Sequence, residues 1–84
     1  MKLYQIILED NEFLDIEFVS KVLIEIFRVP FDEIEIMLDA LKLNGFLIMD
    51  VLPFQFAETK VIEMHHAAQS DRVYIQCSFE EVNA

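Results

Sequence analysis

The sequence predicts a two-layer α+β domain of the order βααβαβ, in which three helices cover one face of a three-stranded antiparallel sheet. Three observations favour this fold class. Apolar residues recur at helical spacing in three segments, runs of strand length separate and flank them, and Pro or Gly stands at several boundaries. The chain has 84 residues, 55% of them hydrophobic, which suits one domain with a packed core. We therefore expect a single domain over residues 1–84.

The N-terminal part of the chain is predicted to form a strand and a helix. Residues 3–8 are a short apolar run, which the polar residues 9–12 end as a turn. Asp15 precedes the first helical pattern and is predicted to cap its N-terminus. The Val29-Pro30 step ends this helix, because proline disfavours a helical conformation in the residue before it.

The middle of the chain is predicted to form a second helix and a second strand. Pro30 suits the first position of a helix, and Gly45 suits the left-handed residue that ends one. Lys42 lies in the last turn, where a cation complements the helix dipole. Residues 46–52 are nearly all apolar and form the strand, which Pro53 ends.

The last third is predicted to form a helix over residues 56–70 and a half-buried strand over residues 73–80. The strand is indicated by strict alternation, in which one face carries Val73, Ile75, Cys77 and Phe79. We expect the tail from Glu81 to Ala84 to fray.

Charge and composition exclude several classes of function. Acidic residues outnumber basic ones 16 to 6, which gives a formal net charge of −10. This charge repels a phosphate backbone and an anionic membrane surface, so we expect no nucleic acid and no membrane as partner. A single cysteine, Cys77, excludes an internal disulfide. No signal peptide or long apolar run is present, so a cytoplasmic location is expected. We also expect a monomer that holds no cofactor.

Short motifs in these elements, at near-constant spacing, resemble the ClpS family, the small adaptors of bacterial Clp proteases. The resemblance runs from Tyr4 to Glu80 and rests on the ensemble rather than on any one motif. Its residues are Tyr4-x-Ile6-Ile7-Leu8, Glu17-Phe18-Val19 with Val22-Leu23, Asn44-Gly45, Ala57-Glu58-Thr59-Lys60-Val61, Cys77 and Glu80.

The resemblance implies an adaptor and not an enzyme. ClpS proteins bind the N-terminal domain of a Clp AAA+ unfoldase of the ClpA or ClpC type. They hold protein or peptide N-termini that begin with a bulky apolar residue, which is the bacterial N-end rule. Polar side chains after the first strand, with a His on the second helix, grip the substrate's α-amino group, and an apolar hole takes its first side chain.

The amine-binding site is predicted to be altered in this chain. The family's usual Asn-Asp-Asp turn corresponds to Asp10, Asn11 and Glu12, and the family's His corresponds to Lys42. An ammonium has three donors and no acceptor, whereas a neutral imidazole can accept a hydrogen bond. Each position also has a structural explanation, since an acidic turn can cap the first helix and Lys42 suits a helix C-terminus.

The apolar pocket is predicted to be kept in character but reshaped. Its positions correspond to Leu14, Ile16, Val19, Leu38 and Leu41. The family has Met at two of these positions, and branched residues are less adaptable than Met. The alternative is that these residues are simply core, as helical apolar stripes usually are.

Docking to the unfoldase is predicted to involve the third helix. Glu58 and Lys60 match the family's docking residues, and Gln55 stands where Glu is usual. The family also carries a flexible N-terminal extension, whereas the first strand here begins within three residues of Met1. We expect a domain that lacks that extension.

Other interpretations were weighed against the adaptor. Glu63 and His66 share a helix face, but nothing in the sequence completes a metal site, so none is expected. Cys77 is expected to be buried rather than catalytic. Three functions remain open: an N-end rule adaptor, a regulator or anti-adaptor that occupies the unfoldase without delivering such substrates, and an interaction domain of another machine, as in the ribosomal stalk protein.

Overall fold

The computed structural model describes residues 1–82. Its elements, in chain order, are β1 (Leu3–Glu9), α1 (Ile16–Glu25), a 3-10 turn (Phe31–Glu33), α2 (Ile34–Asn44), β2 (Phe46–Pro53), α3 (Phe54–Asp71) and β3 (Gln76–Glu81). The strands form one antiparallel sheet in the order β2-β1-β3. The predicted fold class is therefore confirmed.

The helices pack against one face of the sheet. Alternate residues of the central strand show this, because Ile6 and Leu8 are fully buried while Ile7 between them is partly exposed. Leu47 and Met49 of β2 are buried on the same side. Ile75, just before β3, is also buried, and the helices contribute the remaining core residues, which are Phe18, Val19, Val22, Leu23, Ile34, Leu41, Ala57, Val61, Met64 and Ala68.

Two predicted helix ends are confirmed. The Asp15 carboxylate accepts hydrogen bonds from the backbone N–H groups of Glu17 and Phe18 at 2.9 and 3.3 Å, so it caps α1. Gly45 ends α2 with φ of +80°, and its N–H donates to the carbonyl of Leu41 at 2.9 Å. This left-handed conformation is the reason that glycine stands there.

Two other helix ends differ from the prediction. α1 ends before Arg28, which is left-handed at φ 57°, and the Val29 N–H then reaches back to the carbonyl of Leu23 at 2.9 Å. α3 ends at Arg72, which is left-handed at φ 58°. Long side chains rarely adopt this conformation, so the sequence did not indicate these ends.

Several boundaries also move. Pro30 precedes a 3-10 turn rather than starting α2, which begins at Ile34. α3 begins at residue 54, two residues earlier than predicted, and β3 begins at residue 76, three residues later. The predicted fraying is wrong for Glu81, which lies in β3, and for Val82, whose N–H donates to the carbonyl of residue 3. Residues 83 and 84 lie outside the described part of the chain. No helix within residues 1–82 has the length and hydropathy that a membrane span needs.

Candidate ligand-binding site

The turn after β1 and the end of α2 meet at one place. The Asp10 backbone N–H donates a hydrogen bond of 2.9 Å to the carbonyl of Gly45. Asp10 Oδ1 lies 3.7 Å from Lys42 Nζ, and the two side chains are 22% and 58% exposed. The structure therefore brings together two residues that were assigned to the altered amine-binding site. Their role in binding a ligand stays a prediction. We call Asp10, Asn11 and Lys42 the polar mouth.

Asn11 holds the turn that carries Asp10. Its side-chain Oδ1 accepts a hydrogen bond from the Phe13 N–H at 2.9 Å, and its backbone carbonyl accepts one from the Leu14 N–H at 3.1 Å. Asn favours turns because its side chain bonds the backbone two residues on. Glu12, the third predicted residue of this turn, is exposed to solvent.

The polar mouth contains buried polar atoms with unused hydrogen-bonding capacity. Asp10 Oδ1 and Asn11 Nδ2 are both buried, and neither has a hydrogen-bond partner among the described residues. The contact of Oδ1 with Lys42, at 3.7 Å, is an ion pair longer than a hydrogen bond. Leaving a buried polar group unsatisfied costs about 1–3 kcal/mol. A ligand that bonds both atoms would recover this cost.

The predicted apolar pocket separates into two groups. Val19 and Leu41 are 0% exposed and form part of the closed core, as the alternative interpretation has it. Leu14, Ile16 and Leu38 are half-buried and reach the surface. A ligand can contact Val19 and Leu41 only if the core opens. The three half-buried residues can be contacted directly.

Leu38 lies in a groove of about 350 Å³ between α1 and α2. The groove is lined by Leu38 with Ser20, Ile24, Phe31, Asp32, Ile34 and Glu35. Lys42 follows Leu38 by four residues, so the two share a helix face about 6 Å apart along the axis. Leu38 and Lys42 are thus neighbours on α2, although none of the residues of the polar mouth lines the groove itself.

A second depression adjoins the polar mouth on the open face of the sheet. It has a volume of about 510 Å³. Asp10 and Gly45 line it together with Ile7, Phe46 and Ile48. The predicted fold, with helices on one face only, implied an uncovered second face but not a depression beside the turn.

The residues predicted to dock on an unfoldase lie at the start of α3. Gln55 and Glu58 are exposed. Lys60 is partly buried, because its Nζ donates a 2.8 Å hydrogen bond to the carbonyl of Ile26 and lies 3.9 Å from a carboxylate oxygen of Glu63. Lys60 thus ties α3 to the end of α1, a role that sequence reasoning missed. Docking by these residues stays a prediction.

Two phenylalanines flank Gln55 and were not predicted as surface residues. Phe54 and Phe56 are 50% and 54% exposed. Phe54 also packs edge-on against Tyr4 and Phe79, with ring centroids 5.4 and 5.6 Å away. Half-exposed aromatic rings are typical of contact surfaces between proteins. The only sequence signal was their position directly after Pro53, at a helix start.

Cys77, which was considered for thiol chemistry, lies beside His65 of α3. His65 Nε2 lies 3.1 Å from the carbonyl oxygen of Cys77, where a protonated Nε2 donates a hydrogen bond. Burial raises the pKa of the Cys77 thiol to about 12, which keeps it protonated and unreactive at neutral pH. Among residues 1–82 the structure shows no cluster of three or more His, Cys, Asp or Glu side chains fit to hold a metal ion.

Fold and site together define a small two-layer α+β domain with a polar mouth, a groove between α1 and α2, and an exposed start of α3. Comparison with known proteins gives the family. The family model described as "ATP-dependent Clp protease adaptor protein ClpS" matches residues 1–78. The chain belongs to the ClpS family, whose members are adaptors of Clp proteases and not enzymes.

Individual relatives agree with this assignment. The ClpS adapter protein of Maricaulis maris is 36% identical over 80 residues, which are 94% of this chain and 72% of the relative. That of Clostridium acetobutylicum is 33% identical over 82 residues, which are 96% and 80% of the two chains. The structure of Agrobacterium tumefaciens ClpS2 bound to L-phenylalaninamide matches with a TM-score of 0.86 and 25% identity, over 96% of this chain and 98% of the other.

Proposed function

We propose that this protein is an adaptor that docks on the N-terminal domain of a ClpA- or ClpC-like AAA+ unfoldase and presents substrates with a bulky apolar first residue. One observation carries this proposal. The fold matches, over 96% of the chain, a ClpS2 structure bound to L-phenylalaninamide, a small molecule with a free amine and an aromatic side chain. In this proposal the polar mouth receives the substrate's amine and the groove at Leu38 receives its first side chain.

The start of α3 is the proposed docking surface. Gln55 and Glu58 offer polar contacts, and Phe54 and Phe56 offer apolar area at its centre. Exposed aromatic residues beside polar ones are common at the energetic centre of protein interfaces. Lys60, held against the end of α1, contributes to the rigidity of this surface.

The polar mouth is proposed to bind a free α-amino group weakly. A substrate ammonium beside Lys42 meets a second positive charge. At ~4 Å the repulsion is about 1 kcal/mol in water and about 4 kcal/mol at an effective dielectric of 20. The larger figure, which applies as the ligand excludes water, removes roughly three decades of affinity. Burying one large apolar side chain returns about 1.5–3 kcal/mol.

Calorimetry against an isolated unfoldase N-terminal domain tests the docking proposal. We expect saturable binding that Glu58→Lys weakens at least about tenfold, because the substitution reverses a charge within the surface. Asp39→Lys makes the same charge change at an exposed position on α2 and should leave binding unchanged. Undetectable binding of the unaltered protein would sink the proposal and favour an interaction domain of another machine.

Lys42 specifically favours a second candidate function. A protein that docks on the unfoldase but holds free N-termini poorly would act as a regulator or anti-adaptor. Repeating the calorimetry with a Phe-initiated peptide present separates the two functions. An adaptor forms a ternary complex with peptide and unfoldase domain, whereas an anti-adaptor binds the domain and excludes the peptide.

A further inference from the structure

We propose that the open face of the sheet is a docking surface for an amphipathic helix of another protein, a helix whose apolar stripe is flanked by Lys or Arg residues. The open face is the side of β1, β2 and β3 that the three helices leave uncovered. The proposed contacts are made by the strands, and neither the polar mouth nor the start of α3 takes part in them. The surface is therefore independent of the proposed function.

The strand register fixes which side chains share the open face. Ile6 and Leu8 of β1 are buried under the helices, so Ile7 between them points the other way. Antiparallel pairing sets Ile48 of β2 and Ser78 of β3 beside Ile7. The same pairing adds two further sets to this face, which are Gln5 with Val51 and Glu80, and Glu9 with Phe46 and Gln76.

The strand β2 carries the apolar part of the open face. Phe46, Ile48 and Val51 are 43%, 41% and 42% exposed, and we call these three residues the apolar column. Phe46 and Ile48 line the depression of about 510 Å³ together with Ile7 of the neighbouring strand. Contiguous exposed apolar side chains with polar groups around them mark sites of interaction. The apolar column therefore favours a partner that packs on the face of the sheet.

The charged groups that line the depression are all carboxylates. Glu9 and Glu80 belong to this lining, and no Lys, Arg or His does. Glu80 is held on the face, because Gln5 Nε2 donates a hydrogen bond of 2.8 Å to its Oε1. Neither Glu9 nor Glu80 forms an ion pair within residues 1–82. In a chain with a net charge of −10, these carboxylates attract a cationic partner and repel a second copy.

The position of the apolar column decides the shape of the partner. A strand added at the edge of β2 would leave Ile7 and Ile48 uncovered, because their side chains stand on the face of the sheet. A helix laid on the face buries these side chains, and its flanking cations reach Glu9 and Glu80. Seven residues of β1 extend about 23 Å, a length that a helix of about 15 residues spans.

Titration with a synthetic helix tests the proposal. The probe is a Leu/Lys peptide of about 15 residues in which Leu recurs at helical spacing, and its control is a scrambled peptide of the same composition. Calorimetry measures affinity, and circular dichroism measures helix formation. We expect saturable binding of a helical probe, at least about tenfold tighter than that of the scrambled peptide and weaker at higher salt. No saturable binding, or equal binding of the scrambled peptide, would overturn the proposal.

Matched substitutions locate the binding surface. Ile48→Thr keeps a β-branched side chain but removes apolar surface, so it should weaken binding of the probe at least about fivefold. Ile36→Thr makes the same change at a 70% exposed position on α2 and should not. Glu80→Gln keeps an oxygen that accepts from Gln5 but removes the charge, and should weaken binding about threefold. Glu33→Gln removes a charge at an exposed position before α2 and should not.

Two other occupants of apolar surface are outcomes of the same experiments. Weakening by Ile36→Thr that equals or exceeds the weakening by Ile48→Thr would assign the probe to α2. Sedimentation without peptide tests for a second copy, since a dimer that Ile48→Thr dissociates would mean that the protein covers its own open face. Either result would overturn the proposal. Urea unfolding shows that each variant is folded, and Glu80→Gln tests the face without changing the apolar column.

Discussion

At the scale of single residues, Lys42 has two effects that can be separated by experiment. It pairs with Asp10 at 3.7 Å and, as the last-turn cation of α2, complements the helix dipole. It also adds positive charge at the place where the proposed function puts a substrate ammonium. Both effects come from one ammonium group. We therefore expect that a polar side chain that can be neutral at this position changes which peptide N-termini bind.

We predict that Lys42→His improves binding of a free-amine, Phe-initiated peptide by at least about tenfold. A neutral imidazole removes the charge repulsion and can accept a hydrogen bond from the ligand. Anisotropy above pH 7.5, where an ordinary imidazole is neutral, measures the change. The control is Lys2→His, which removes a lysine elsewhere. An affinity that does not change in Lys42→His would show that Lys42 is not at the ligand.

Cys77 provides a prediction about pH. Burial raises its thiol pKa from an ordinary value of 9.0 to about 12. Well below pH 9 the folded and unfolded states both keep the proton. Between the two pKa values the unfolded chain releases it and the folded chain does not, so this group makes folding less favourable as pH rises.

We therefore predict that iodoacetamide alkylates Cys77 far more slowly in the folded protein than in urea at pH 8.5. The fraction of thiolate differs by about three decades between the states, and the thiolate is the nucleophile. Mass spectrometry after timed quenching gives both rates. Comparable rates would mean that the thiol is not held away from solvent in the folded protein.

At the scale of elements, the sequence predicted helix ends where they depend on a residue's own chemistry. Asp15 caps α1 and Gly45 ends α2 because their side chains favour those conformations. Arg28 and Arg72 end α1 and α3 against their own preference for negative φ. Those ends come from packing of the following residues, and local sequence carries no signal for packing across the fold.

The candidate site was also predicted only in part. Family resemblance located Asp10 and Lys42, which the fold brings to 3.7 Å. It could not separate Leu38, in the groove, from Leu41, in the core, because both belong to one apolar helical stripe. It also could not show Lys60 bonded to the end of α1, since that contact joins residues 34 positions apart.

We predict that Gly45→Ala lowers the free energy of unfolding by about 1–2 kcal/mol, since a Cβ is strained at φ of +80°. The cause is backbone conformation and not a clash, because a Cβ here meets no described atom within 4 Å. Gly45→Asn should cost less, because Asn tolerates the left-handed region. Urea unfolding measures both variants. Equal losses for Ala and Asn would contradict this explanation.

At the scale of the whole molecule, the core and the groove at Leu38 share α1 and α2, so stability and the proposed binding must be measured together. We predict that Leu41→Ala lowers the free energy of unfolding by about 2–5 kcal/mol, because it leaves a cavity in a closed core. Leu38→Ala, at a half-buried groove position, should cost less stability and weaken an apolar peptide more. Urea unfolding measures the stability of both variants, and anisotropy measures their affinity for an apolar peptide. The reverse pattern would place Leu41, not Leu38, in the ligand pocket.

Net charge gives a prediction for the whole domain. Sixteen acidic and six basic residues repel one another on balance, and the described ion pairs are all partly exposed, so each contributes little. Raising ionic strength screens the net repulsion more than it weakens these few pairs.

We therefore predict that the urea midpoint of the folded protein rises between 10 mM and 200 mM NaCl, ionic strengths at which the Debye length falls from about 30 Å to below 10 Å. Potassium chloride should give the same rise, because screening does not depend on the identity of a monovalent cation. A midpoint that falls with either salt would mean that the ion pairs of Lys21 with Asp71 and of Lys42 with Asp10 outweigh the repulsion among the remaining acids.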